Sequence, residues 1–408
     1  MNLRIRGGAI VLAVATVMCA LQVEPSRVTA GPTNKAKTRV PVFKVDPFWP
    51  KQEGHFGDKG NWIFGAIGGI DVDRSNDHVW IIQRPRTLSV EPAADEIGAS
   101  HNPPTQDCCI PAPTVMEFDA AGNFIQGWGG SGPGYDWPET EHGIRIDYRG
   151  NVWITGNNKK DNQILKFTKS GKFLLQIGHP GQSRGSSDTE NFNEPTNTWV
   201  YPKTNEVFVS DGYINRRVIV FDADTGVYKR MWGAYGNKPD DTIPRIRRIP
   251  FNGPDDLAVQ TLLEGPPPQQ FNLVHDIVIS NDNLVYVADR SNNRIQVFKP
   301  DGTFVKEAFV AKDNMTPTGS TMSLALSPDN RQEFMYVLGG DRHIRILNRD
   351  SLQVLGQFGR MGHFPGQLFH MHGIAVDSKG NLYEEEAASE GRRIQKYVFE
   401  GFSSAQSN

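Results

Sequence analysis

Three of the ten histidines share one local setting. His142 opens His-Gly-Ile-Arg-Ile-Asp147, His275 opens His-Asp-Ile-Val-Ile-Ser280, and His372 opens His-Gly-Ile-Ala-Val-Asp377. Imidazole is the commonest metal ligand and the side chain best placed to move protons near neutral pH. These three lie too far apart in sequence to form a local ligand motif. Any joint chemistry therefore depends on the elements that position them.

Those elements are repeats. Each histidine begins an apolar alternation, followed by a polar turn and a second β-rich run such as Asn151-Val-Trp-Ile-Thr155. Weaker copies begin at Gly68, Thr196 and Met322. Two more runs follow in most units: first segments such as Gln163-Ile-Leu-Lys-Phe167, Arg217-Val-Ile-Val-Phe221 and Arg294-Ile-Gln-Val-Phe298, then a Gly turn and a last apolar strand. Six units of four strands read as an all-β, six-bladed β-propeller around an axial channel. Equivalent positions in such a ring are about 60° apart, so alternate blades are about 120° apart. The histidines occupy units two, four and six. Three imidazoles would then converge on one axial point, the geometry of a three-histidine zinc site with an open fourth position. The competing assignment is three channel histidines bonded to backbone or water; the alternating register favours the metal.

Arg84, Tyr213 and Arg290 follow inner-strand runs and fall on connecting loops, where functional groups concentrate. The alternative pairs the arginines with blade aspartates such as Asp211 and Asp289 and packs Tyr213 over the channel. The residues alone leave both open.

The chain has 408 residues, a formal charge of −3, 41 Gly and 27 Pro. No basic surplus points to nucleic acid. Arg4 and Arg6, the apolar run Ala9–Val23 and Val28-Thr29-Ala30 read as a signal peptide over residues 1–30. An N-terminal extension with a possible ring-closing strand is expected over 31–66, the propeller over 67–400 and a tail over 401–408. Val42-Phe-Lys-Val45 is the candidate ring-closing strand. The expected product is secreted or periplasmic, monomeric and without a membrane span, acting on a small-molecule or peptide-like substrate. Cys108 and Cys109 could form a vicinal disulfide or remain buried thiols. The segments 84–113 and 234–270 exceed what blades need and are expected to cap one face.

Glu141-His-Gly-Ile-Arg-Ile-Asp147, Phe208-Val-Ser-Asp-Gly-Tyr-Ile-Asn-Arg-Arg217, Val274-His-Asp-Ile277, Val287-Ala-Asp-Arg-Ser-Asn-Asn-Arg-Ile-Gln296 and His370-Met-His-Gly-Ile374 resemble one family. It is the peptidyl-α-hydroxyglycine α-amidating lyases, NHL-repeat six-bladed propellers that form the lyase domain of peptidylglycine α-amidating monooxygenase. The similarity runs from about Gly65 to Tyr397. It implies zinc on His142, His275 and His372, active-site roles for Arg84, Tyr213 and Arg290, and a structural calcium held partly by the carbonyls of Ile70 and Ile144. Two positions depart from the pattern. The family's calcium-ligating aspartate falls on Gly373, and its active-site methionine falls on His370, an altered pocket residue and a further candidate ligand. Asp276 could replace the missing aspartate from another blade.

The expected reaction is C–N cleavage of an N-acyl-α-hydroxyglycine to an amide and glyoxylate. Zinc would assist loss of the hydroxyl proton. Tyr213 would act as phenolate general base, and Arg84 or Arg290 would clamp a carboxylate. Two alternatives stand beside it. One is zinc-dependent hydrolysis of a lactone or ester, with Glu141 or Asp276 as the acidic base. The other is a non-catalytic binding module.

Overall fold

A computed structural model describes residues 39–51, 62–89, 110–245, 264–388 and 391–404. The expected signal segment, Cys108, Cys109 and much of both capping segments lie outside the described residues.

The repeat units fold into six four-stranded antiparallel sheets. Their innermost strands are Ala66–Asp73, Glu141–Ile146, Pro195–Tyr201, Val274–Ile279, Ser323–Leu326 and Met371–Val376. The protein is thus an all-β, six-bladed propeller, and among the described residues no helix is long and apolar enough to cross a membrane.

Turn chemistry sets the first hairpin of several blades. Asp147 Oδ1 accepts the backbone N–H groups of Arg149 and Asn151, while Gly150 takes φ +78°. Asp377 treats Lys379 and Asn381 the same way, with Gly380 at φ +85°. The aspartate closes the turn and glycine adopts the left-handed backbone at low cost.

The core is a ring of interblade clusters rather than one central mass. Trp80, Ile82 and Val115 of the first blade meet Ile144, Val152 and Ile154 of the second. Ile67, Ile70 and Val72 meet Ala375, Tyr383 and Ile394 of the sixth. Full burial of each large side chain contributes about 1.5–3 kcal/mol, so every blade depends on both neighbours.

Closure uses the N-terminal strand. Arg39–Asp46 pairs antiparallel with Ile394–Ser404 as the outermost strand of the sixth sheet, so this sheet joins both ends of the ring. Phe43 packs against Tyr336, Phe358 and Phe399, and Trp49 against Phe118 and Tyr383. The last strand reaches Ser404, beyond the propeller end expected at 400.

Two blades each carry a fully buried ion pair, Asp211–Arg217 at 2.8 Å and Asp289–Arg294 at 2.7 Å, and the sixth carries a partly buried one, Glu386–Arg393 at 2.9 Å. The blade aspartates are therefore committed to arginines of their own third strands, not to Arg84 or Arg290.

Candidate metal centre and active site

Gly68, His142, Thr196, His275 and His372 each fall within a register shift near the start of an innermost strand. A bulge inserts a residue and re-aims the side chain beside it. The three rings meet edge to face, with centroids 4.5 Å (His142–His372), 4.8 Å (His275–His372) and 5.1 Å (His142–His275) apart. One nitrogen from each lies within 4.8 Å of the others, and all three residues are buried.

Hydrogen bonds assign the ring faces. His142 Nδ1 lies 2.8 Å from Thr196 O, and His275 Nδ1 lies 2.8 Å from Met322 O. His372 Nδ1 lies 3.0 Å from Glu385 Oε1. A carbonyl can only accept, so Nδ1 of the first two carries the proton and Nε2 presents a lone pair. His142 Nε2 and His372 Nε2 are 3.0 Å apart. Burial, reinforced by Arg84 and Arg290, pushes His142 down to about 3. Burial also drives His275 and His372 well below the usual histidine range; Arg290 and His142 add to this at His275, and the other two imidazoles at His372. Buried neutral rings, two of them with an Nε2 lone pair facing the third ring's Nε2, are a candidate donor set for a cation, and three imidazoles suit zinc.

Tyr213 lies beyond the end of strand Glu206–Asp211. Its hydroxyl is 3.1 Å from His142 Nε2, 3.4 Å from His275 Nε2 and 3.4 Å from Arg290 Nη1. Arg245 holds this loop by donating to the carbonyls of Gly212, Ile214 and Asn215. Arg84 Nε donates to Glu141 O at 2.6 Å, and Arg290 Nε donates to Thr318 O at 2.8 Å. Tethering Nε to a carbonyl orients each guanidinium before any ligand arrives.

His370 is exposed and outside the three-histidine group. Ile70 and Ile144 are buried and border a cavity of about 20 Å³ with the three histidines, Asp276 and Glu385. The residues there fit calcium poorly. Asp276 already accepts from Arg145, Asn197, Ile277, Ser323 and Leu324. The buried Arg145 guanidinium bridges Asp71 and Asp276 at 3.2 Å each, bringing a positive charge of its own. Among the described residues lining this cavity, the carboxylate oxygen left without a partner is Glu385 Oε2. Calcium takes six to eight oxygens.

Glu385, Arg145 and Arg245 were not singled out from the sequence. Two had a visible signal. Arg145 interrupts an apolar alternation, and Glu384-Glu385-Glu386 places three acids in a buried strand where other blades read Ser210-Asp211 or Ala288-Asp289. Burial, with the neighbouring Glu384, raises the Glu385 carboxyl well above its ordinary range.

Fold and repeat together define the class: the chain is a six-bladed β-propeller that carries an NHL repeat. The NHL repeat model matches residues 271–298, the segment carrying His275, Asp289, Arg290 and Arg294. Among its relatives are proteins named as amidating lyases. It is 36% identical over 296 residues to peptidyl-alpha-hydroxyglycine alpha-amidating lyase 2 of Drosophila melanogaster, covering 70% of this chain and 61% of that one. It is 33% identical over 170 residues to mouse peptidyl-glycine alpha-amidating monooxygenase, covering 41% of this chain and 14% of that one. Mouse NHL repeat-containing protein 3 is 24% identical over 374 residues, 88% of this chain and 84% of its own length. The chain thus spans less than two thirds of either relative named for amidation.

Proposed function

We propose that this chain is an exported, metal-dependent lyase that cleaves an N-acyl-α-hydroxyglycine-like carbinolamine into an amide and glyoxylate. The observation that carries the reading is the convergence of three neutral imidazoles, two with Nδ1 committed to carbonyl acceptors and one held by a carboxylate. Export rests on the signal-like segment 1–30.

His142, His275 and His372 would hold the metal, with zinc the best match to the donor set. Bound zinc supplies Lewis acidity toward the substrate hydroxyl. Tyr213, as phenolate, takes the hydroxyl proton. The O–H electrons form the new C=O bond as the C–N pair leaves on nitrogen. A proton returned to that nitrogen completes the amide, so the step is redox-neutral and consumes no water. Arg290 Nη1, 3.4 Å from Tyr213 Oη, supports negative charge on that oxygen. Arg84 and Arg290, tethered through Nε, bind the substrate carboxylate. The resemblance to lyases supports this chemistry; calcium has no part in it.

Hydrolysis is the weaker reading because its candidate bases are committed. Glu141 accepts from Trp137 Nε1 at 2.7 Å and lies 3.6 Å from Arg86, and Asp276 accepts five donors. Metal analysis of the mature protein, beside His142→Ala and His275→Ala, tests the reading. About one zinc per chain and glyoxylate release are expected, and each substitution should weaken metal binding by at least about 100-fold, more than loss of an outer partner. Metal-loaded protein that releases no glyoxylate from an N-acyl-α-hydroxyglycine would remove the assignment, and lactone cleavage would replace it with hydrolysis.

A further inference from the structure

The three histidines are not held alike. Thr196 and Met322, which anchor His142 and His275 through their carbonyls, occupy the histidines' own repeat position in the third and fifth blades. Continuing that rule around the ring assigns His372 to Gly68 of the first blade. His372 Nδ1 instead meets a side chain of its own blade, Glu385 Oε1, at 3.0 Å. The threefold pattern breaks where the ring closes.

The break is made by two residues together. A Cβ at position 373 would stand 2.8 Å from Glu385 Oε1 and 3.1 Å from Ile70 Cγ2. Gly373 therefore leaves the space that the carboxylate fills. Glu385 is completely buried, and its second oxygen has no partner in the narrow cavity below the histidines. Buried in this way the group favours its neutral carboxyl form and becomes a carboxylate only where a positive charge stands nearby. A divalent cation on the far side of His372 would supply it through the ring.

We propose that Glu385 is a positioning residue for the metal centre: it orients His372 and strengthens its Nε2 as a donor, and Gly373 admits it. This deepens the metal-dependent reading above and rests on it. An anionic acceptor on one imidazole nitrogen raises the basicity of the other, and such outer partners are typically worth about 10–100-fold in metal affinity. A carbonyl anchor orients a ring without that charge. His372 is thus the one ligand of the three held by a side-chain carboxyl rather than a carbonyl, and the site is electronically unsymmetrical.

Glu385→Gln keeps the shape and an acceptor for Nδ1–H but removes the charge. The measurement is zinc affinity by chelator competition on the mature chain, with the visible spectrum of the cobalt-substituted protein and the melting curve recorded beside it. Glu385→Gln should bind zinc about 10–100-fold more weakly, with a shifted cobalt spectrum and the fold retained. Gly373→Ala, by pushing the carboxylate aside, should move affinity and spectrum in the same direction, and it decides the matter if Glu385→Gln does not fold. Wild-type affinity and an unchanged cobalt spectrum in a folded variant overturn the role of Glu385 while leaving the metal reading intact. A wild-type chain that binds no metal sinks the metal reading first.

Discussion

The Tyr213 hydroxyl stands 3.1 Å from His142 Nε2, on the nitrogen that the Thr196 carbonyl leaves unprotonated. The same oxygen reaches toward His275 Nε2 and Arg290, so it closes one side of the three-imidazole cluster. A group there could exchange a proton with a substrate seated on a metal held by the three histidines.

Tyr213→Phe should therefore lower kcat by about 10²–10⁴-fold, the usual weight of a general base, while zinc content stays at the wild-type level. Steady-state glyoxylate release with metal analysis checks both halves. Full activity in the variant would remove the base role.

Arg84 and Arg290 are anchored through Nε on Glu141 O and Thr318 O. Replacing either by lysine keeps the charge but loses the fork. KM for a substrate with a free carboxylate should rise about 10–100-fold, equivalent to losing a charged hydrogen bond of about 1.5–3 kcal/mol. Carboxyl-blocked substrates should be bound equally by wild type and variants. A kcat effect without a KM effect would argue against clamping.

Arg245 acts one step further out, through the carbonyls on either side of Tyr213. Arg245→Ala should reduce kcat with zinc retained and cost about 1.5–3 kcal/mol of stability. Activity and melting measured on one preparation test the coupling. Wild-type kcat in the variant would show that the loop holds Tyr213 unaided.

The depressed histidines make the metal-free fold acid-sensitive. A folded-state value below the unfolded one, near 6.5, means that the unfolded chain binds protons first as pH falls. The stabilising contribution is complete above about 6.5 and is lost progressively toward the folded value, about 3 for His142. At pH 5, His142 alone accounts for about 2 kcal/mol of lost stability. Urea unfolding of chelator-treated protein from pH 8 to pH 5 should show the decline, and His142→Gln should make it shallower while His275 and His372 keep the rest. A pH-independent midpoint in the metal-free wild type would contradict the buried, neutral assignment.

Strand periodicity, turn residues and the repeat were legible in the sequence because they are local. Alternation at period two, Asp-x-x-Gly-Asn turns and six copies of one phrase suffice to define a six-bladed ring. Since a ring converts repeat register into angle, the alternation of His142, His275 and His372 also foretold that they would meet. What the side chains do on arrival is not local. Arg145 reaches Asp276, 131 residues away, and that contact occupies the carboxylate that could have replaced the missing calcium ligand. His372 meets Glu385 beside Gly373, where a Cβ would stand 2.8 Å from the carboxyl oxygen. The sequence by itself determined the ring, its order and the three-histidine register, since these follow from short-range patterns repeated in phase. Only the tertiary structure decided the bulges that aim the rings, the acceptor on each Nδ1 and the place of Glu385, because those depend on packing between strands the chain order does not join.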